Sequence, residues 1–345
     1  MDRRAFSQWV MAAGLMATGV PAIAAPTRPR LRKPRRLREG ACIGVVSPGG
    51  LMEAEALEKC VRKVEALGFK VRLGDNVLAR HGHKAGTVAH RVADLHTMFA
   101  DDSVDAIWTT RGGYGSSALL PHLDYALIRR KPKILIGYSD ITALHLGIYQ
   151  HTGLVTFHGP VLWSSFSDYS LEHIRKILME PAPRYEMALS ADNLAKGASN
   201  PAYIPRTLHA GVAEGPLLGG NLSVLCNLLG TRHMPALQKH LLFLEEITET
   251  PKKIDRMLTQ LRLTPGFDSL TGVVCGVFDD CIPTDTDPTQ TLDEVLDENF
   301  AAFSKPVVYG YSFGHVSRQY TLPQGIRARL DTEAQTLTLL EAAVI

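Results

Sequence analysis

Several things are scarce in this 345-residue sequence, and each shortage removes a class of function. The five cysteines (Cys42, Cys60, Cys226, Cys275 and Cys281) are an odd number and match no zinc spacing. Cys42, Cys226 and Cys275 sit in apolar runs, where cysteine acts as a small core residue, and a single Cys275–Cys281 bridge is left open. The glycine-rich loop Arg111–Ser116 has neither the Walker lysine pattern nor Gly-x-Gly-x-x-Gly, which argues against a nucleotide-phosphate loop. Four histidines crowd one region (His81, His83, His90 and His96), but His90 and His96 do not share a helix face as an i, i+4 pair would, so no metal site is expected. The apolar stretch Trp9 to Ala25 falls short of the roughly 20 residues that span a bilayer and is broken by glycines.

Surplus charge is missing too. The formal balance is +2, and residues 1–38 hold nine of the 37 basic residues but one of the 35 acidic ones, so the remainder carries −6. A mildly acidic body argues against nucleic acid as a partner.

What is present begins with the N-terminus. Arg3 and Arg4, the apolar run and Ala22-Ile23-Ala24 fit an export signal over residues 1–25, and the paired arginines resemble a bacterial twin-arginine signal. Residues 26–39 are basic and contain prolines, which predicts a disordered linker and no stable membrane span once the signal is removed.

From residue 40 to 164 strand and helix signals alternate, the pattern of a parallel sheet covered by helices. Ala41 to Val46, Phe69 to Leu73, Asp105 to Thr109, Ile134 to Ile136 and Leu154 to Phe157 read as strands, with helices over Leu51 to Leu67 and Val88 to Phe99. Residues 165–214 lose this periodicity and gather Pro, Ser and Asn, which predicts an interdomain linker. A second domain, 215–345, is expected to be the smaller and richer in strand. Leu241 to Leu244, Leu270 to Phe278 and Pro306 to Tyr311 are its parallel candidates, and Gln319 to Leu322, Ile326 to Leu330 and Thr336 to Val344 its closing antiparallel strands.

Chemistry gathers at strand ends. The run Ile134 to Ile136 stops at Gly137, and Asp140 and Thr142 suit a helix first turn, so Ser139 lies on a sharp strand-to-helix turn near unpaired helix N–H groups. A serine hydroxyl needs a base within reach and a group to orient that base. His315 follows the strand Pro306 to Tyr311 and Glu245 ends the strand Leu241 to Leu244, so both types are supplied, with Glu246 as a rival carboxylate.

Seven segments, in order, then resemble one family. They are Arg111-Gly-Gly-Tyr-Gly, Ile136-Gly-Tyr-Ser-Asp-Ile-Thr-Ala-Leu, Phe157-His-Gly-Pro, Gly219-Gly-Asn-Leu, Leu244-Glu-Glu-Ile-Thr-Glu, Ile254-Asp-Arg-Met-Leu and Gly310-Tyr-Ser-Phe-Gly-His. This pattern is similar to that of the LD-carboxypeptidases, or muramoyl-tetrapeptide carboxypeptidases. The resemblance implies an α/β protein with an N-terminal parallel-sheet domain, flavodoxin-like or class I glutamine amidotransferase-like, and a C-terminal domain carrying the acid and the base. It implies a serine peptidase without cofactor, with Ser139 as nucleophile, His315 as base, Glu245 as orienting carboxylate, and the N–H groups of Gly113 and Asp140 as oxyanion hole. Arg111, Tyr114, His158 and Asn221 are its substrate-binding candidates. The implied partner is a peptidoglycan tetrapeptide that loses its terminal D-alanine, and a homodimer is left open.

Two departures qualify the resemblance. Lys252-Lys253 stands where the family usually has an aromatic and then a basic residue. The export signal points to the periplasm, whereas recycling members work in the cytoplasm, the location expected if the signal does not function. Two alternatives stand beside this reading: an antibiotic-immunity peptidase of the same family acting on peptidyl or aminoacyl nucleotides, with Trp163 to stack on a base, and a non-catalytic periplasmic binding protein.

Overall fold

Short apolar runs bounded by glycine and proline become the strands of two sheets. In this computed structural model, which describes residues 29–283 and 290–345, five strands come first: β1 (Cys42–Val46), β2 (Lys70–Leu73), β3 (Ala106–Thr109), β4 (Ile134–Gly137) and β5 (Phe157–His158). Nine follow: β6 (Tyr185–Met187), β7 (Arg206–His209), β8 (Val212–Asn221), β9 (Leu241–Ile247), β10 (Gly272–Asp279), β11 (Val307–Tyr311), β12 (Leu322–Pro323), β13 (Arg327–Asp331) and β14 (Thr336–Leu339). The export signal expected at 1–25 lies outside the described residues.

The first sheet runs β2-β1-β3-β4-β5, all parallel, the flavodoxin-like order. Strand order reverses between β1 and β3, so the loops leaving their carboxyl ends part to form a crevice. These loops are tied together: Gly50 N–H donates to Gly112 O at 2.8 Å. The second sheet runs β6-β14-β13-β8-β9-β10-β11-β7, with β8 to β11 parallel and both flanks antiparallel. It is the larger of the two sheets, eight strands against six.

The helix Thr142–Thr152 joins the two halves. Its apolar residues follow no single stripe because nearly all of it is buried, as befits a helix enclosed on every side. Ile141, Leu144 and Ile148 share one apolar cluster with Leu218, Leu222 and Leu242 of the second half. Burying such side chains contributes about 1.5–3 kcal/mol each. The carboxyl ends of the two sheets are thus fixed against one another by core packing.

Three expectations are corrected. Residues 165–214 are no linker: β6 pairs with β14 and β7 with β11, so the segment supplies both edges of the second sheet. Strands of three or four partly exposed residues leave no periodicity to read. Among the described residues the basic stretch, 29–39, is ordered. Arg32 N–H donates to Gly153 O at 2.7 Å, Arg36 N–H to Ile345 O at 2.8 Å, Leu37 is buried, and Lys33 pairs with Glu341 at 2.6 Å. Counting charge overlooked what main-chain pairing and one buried leucine can hold. Gln319 to Leu322 reads in sequence as a closing strand of the second domain. Instead β12 crosses back and pairs antiparallel with β5 of the first sheet. All five thiols are free, so Cys275 and Cys281 are not bridged.

Candidate active site

Ser139 takes a backbone conformation that L-residues avoid, with φ at 65°. It follows β4 after one residue, Tyr138, and opens one tight turn, Ser139–Ile141, before the long buried helix. A strained residue held this way is costly, by about 1–3 kcal/mol, and persists where its surroundings dictate it. The hydroxyl is thereby lifted above the end of the first sheet.

The second sheet brings two side chains to meet it. His315 Nδ1–H donates to Glu245 Oε2 at 2.7 Å, and His315 Nε2 accepts from Ser139 Oγ at 3.1 Å. Glu245 lies two residues before the end of β9 and is fully buried. His315 reaches it because residue 314 is glycine. A Cβ there would stand 2.9 Å from Glu245 Cβ and 3.0 Å from Oε2, and the backbone φ of +109° suits glycine in any case. Burial would raise the Glu245 carboxyl, but the facing His315 outweighs it and the group lies below the ordinary glutamate value. Burial would likewise lower His315, yet Glu245, with smaller help from Glu246 and Asp279, raises the imidazole above the ordinary histidine value.

Glu246, the rival carboxylate, is engaged elsewhere. It accepts from Ser223 N at 2.8 Å, Ser223 Oγ at 2.6 Å, Asn221 Nδ2 at 2.9 Å and its neighbour Ile247 N at 2.9 Å. Burial and the neighbouring Glu245 raise its pKa. Adjacent residues of one strand point to opposite faces, so one carboxylate meets the imidazole while the other pins the start of the helix Leu222–Leu228.

The loop after β3 closes against Ser139 from the first sheet. Gly112 lets it come close: a Cβ on Gly112 would lie 2.7 Å from Ser139 Cβ and 2.9 Å from Oγ. Because the Gly112 carbonyl is turned to Gly50, the planar peptide aims the Gly113 N–H the opposite way. The Asp140 carboxylate holds this loop, accepting from Gly115 N at 3.2 Å, Ser116 N at 2.9 Å and Ser116 Oγ at 2.7 Å. Burial raises its pKa against these hydrogen bonds. Arg91, also buried, bonds Pro48 O at 2.7 Å and Gly115 O at 3.1 Å, and so fastens the β1 loop to the β3 loop. Sequence reading assigned no part to Arg91, Ser116 or the Asp140 side chain. A charged residue on the inner stripe of an amphipathic helix was the available signal for Arg91.

Arg111, Gly113 and Tyr114 come together with Gly50, Leu51 and His83 around an open pocket of about 330 Å³. Arg111 and Tyr114 are exposed, and Lys84 Nζ lies 5.1 Å from the Tyr114 ring centre. The other two binding candidates are corrected. His158 is fully buried beneath the site, and Asn221 is buried with its amide on Glu246 and its carbonyl capping Val224 N at 3.1 Å. His158 follows the expected strand Leu154 to Phe157, whereas Asn221 ends β8, a strand the sequence does not announce, and a strand end can face the core as readily as the solvent.

Fold and site together define a class, the two-domain α/β peptidases. Residues 43–159 match the model of the LD-carboxypeptidase N-terminal domain and residues 214–330 that of the LD-carboxypeptidase C-terminal domain, together more than half of the chain. The chain belongs to the LD-carboxypeptidase family. It is similar to a "Probable murein peptide carboxypeptidase" of Bacillus subtilis (strain 168), 36% identical over 90% of this chain and 95% of that one. It is also similar to the "Microcin C7 self-immunity protein MccF" of Escherichia coli, 31% identical over 95% and 98% of the two chains. Among solved structures, an MccF-like protein from Bacillus anthracis str. Ames superposes with a TM-score of 0.77 at 33% identity, covering 89% of this chain and 99% of that one.

Proposed function

We propose that this protein is a serine carboxypeptidase that hydrolyses the LD-peptide bond before the terminal D-alanine of peptidoglycan tetrapeptides. The observation that carries the reading is the unbroken series Ser139 Oγ, His315 Nε2, His315 Nδ1 and Glu245 Oε2, at 3.1 and 2.7 Å. His315 takes the Ser139 proton as Oγ attacks the scissile carbonyl, and Glu245 holds the tautomer and balances the imidazolium. Negative charge on the former carbonyl oxygen falls to the N–H groups of Gly113 and Asp140. His315 then returns the proton to the departing amine, which leaves as free D-alanine. Water, deprotonated by the same imidazole, cleaves the acyl-enzyme and restores Ser139. Arg111, exposed beside Gly113, is the cation suited to the terminal carboxylate.

The name borne by the Bacillus subtilis relative supports this substrate class. Incubation with defined tetrapeptide muropeptides tests it: wild-type protein removes one alanine by mass and Ser139→Ala removes none. Cleavage confined to peptidyl nucleotides overturns it. That second reading has its own observation. Trp163 is 56% exposed, and its backbone N–H donates to Thr110 O at 2.9 Å, one residue from Arg111, which leaves the ring a surface for a base to stack on. Trp163→Ala separates the two, slowing nucleotide-linked substrates and leaving tetrapeptides unchanged. Arg3-Arg4 and Ala22-Ile23-Ala24 support action outside the inner membrane. Replacing both arginines by lysine is expected to retain the protein in the cytoplasmic fraction. Among the described residues no helix is long and apolar enough to cross a membrane.

A further inference from the structure

Beneath the site lies one imidazole with no evident duty. His158 is fully buried, and neither of its ring nitrogens has a hydrogen-bond partner. Glu245 Oε1, equally buried, has no partner at hydrogen-bond distance either, the nearby Asn221 amide, which also favours the carboxylate, being bonded to Glu246 Oε1 at 2.9 Å. An unsatisfied buried polar group is costly, and an apolar side chain in the same space would not carry that cost.

The surroundings of this ring are the second observation. In strand register His158 lies opposite Gly137, two residues before Ser139. Phe243, two residues before Glu245, meets the ring at 5.5 Å, and Phe313, two residues before His315, at 6.5 Å. Tyr138, from the turn of Ser139, stands 6.0 Å away edge-on. The segments bearing the three reacting side chains therefore converge on one histidine. We propose that His158 is a positioning residue, which donates a ring N–H to Glu245 Oε1 through a rotation of the carboxylate or one bridging water, and so fixes the His315 imidazole toward Ser139.

Burial holds His158 neutral, with a pKa pulled down to about 4, so one nitrogen carries a proton and the other does not. The titratable groups around it are Glu245 from β9, His315 after β11, Tyr138 after β4 and His145 of the buried helix. His145 is already occupied, with Nε2 on Gly137 O at 2.8 Å.

This inference rests on the serine-peptidase reading, so its test uses a readout that needs no peptide: the rate at which a fluorophosphonate labels Ser139. His158→Phe is expected to label about tenfold more slowly than wild type, and on a cleaved peptide to lower kcat by a similar factor with KM within about twofold. The acid limb of kcat/KM, set by His315, should move to higher pH, because a carboxylate deprived of a donor holds the imidazolium proton more tightly. His158→Gln, which keeps an N–H, should recover most of the rate. Labelling of His158→Phe within about twofold of wild type overturns the proposal, as does equal loss in both variants with an unchanged pH limb. Should His158→Phe fail to fold, His158→Met against His158→Gln decides by the same criteria. Wild-type protein that labels but releases no alanine overturns the substrate reading and leaves this comparison intact.

Discussion

The carboxyl ends of the two sheets meet, yet they bring different kinds of group. The first sheet offers main chain: a strained turn that raises Ser139, and a glycine loop whose peptides face it. The second offers side chains, Glu245 and His315, already joined at 2.7 Å. Backbone groups can be placed by turn geometry alone, whereas an acid and a base must also be protected from solvent to have the right proton affinities. That is why Glu245 is fully buried and Ser139 is not.

The sharpest way to break this comparison is to remove the one reacting side chain of the first sheet. Ser139→Ala should lower kcat by about 10³-fold or more, as loss of a nucleophile does. Ser139→Gly should be equally inactive but more stable by about 1 kcal/mol, since glycine accepts the positive φ without strain. A rise in Tm read by thermal denaturation checks the second half.

The adjacent glutamates sharpen it further. Glu245→Gln should reduce kcat by about 10²–10⁴-fold, by disturbing the imidazole tautomer. Glu246→Gln should instead destabilise by about 1–3 kcal/mol in denaturant titration, because it breaks donors at a helix start, and should leave kcat within about tenfold. Equal kinetic losses in the two variants would contradict the assignment.

Proton affinity gives a third measure. His315 must be neutral to act as base, and its folded pKa lies above 6.5, so kcat/KM should rise with pH through a midpoint above 6.5. Linkage carries the same sign information. The raised His315 contributes stability that is full below its unfolded pKa and is lost as pH rises through the folded value. The depressed Glu245 contributes stability above its unfolded pKa, lost as pH falls through its folded value. Stability across pH 3–8 in wild type and Glu245→Gln tests both slopes. The smallest effect is expected at the rim: Arg111→Ala should raise KM by about tenfold with kcat nearly unchanged, the mark of lost uniform binding.

Much of this was legible in residue order. Ile134 to Ile136 stopping at Gly137 announces a buried strand and a turn, and Glu245 and His315 at strand ends supply the partners that a serine needs. The choice between Glu245 and Glu246 rested on the family motif alone, and strand alternation in three dimensions gives it a physical cause. Less was legible where function is carried by depth. His158 and Asn221 look like surface ligands in sequence because polar residues usually are, and only the packing of Phe243 and Phe313 places His158 in the core. The edge strands β6 and β7 look like linker in sequence because a strand of three or four residues owes its form to its partner's hydrogen bonds.

The central claim is that a hydroxyl from one sheet is activated by a base and acid from the other. Mapping the fluorophosphonate adduct by peptide mass in wild type and His315→Ala tests it most directly. A single adduct on Ser139, formed at least about 100-fold more slowly without the imidazole, is the predicted result. An adduct on another residue, or equal labelling of the two proteins, would contradict it.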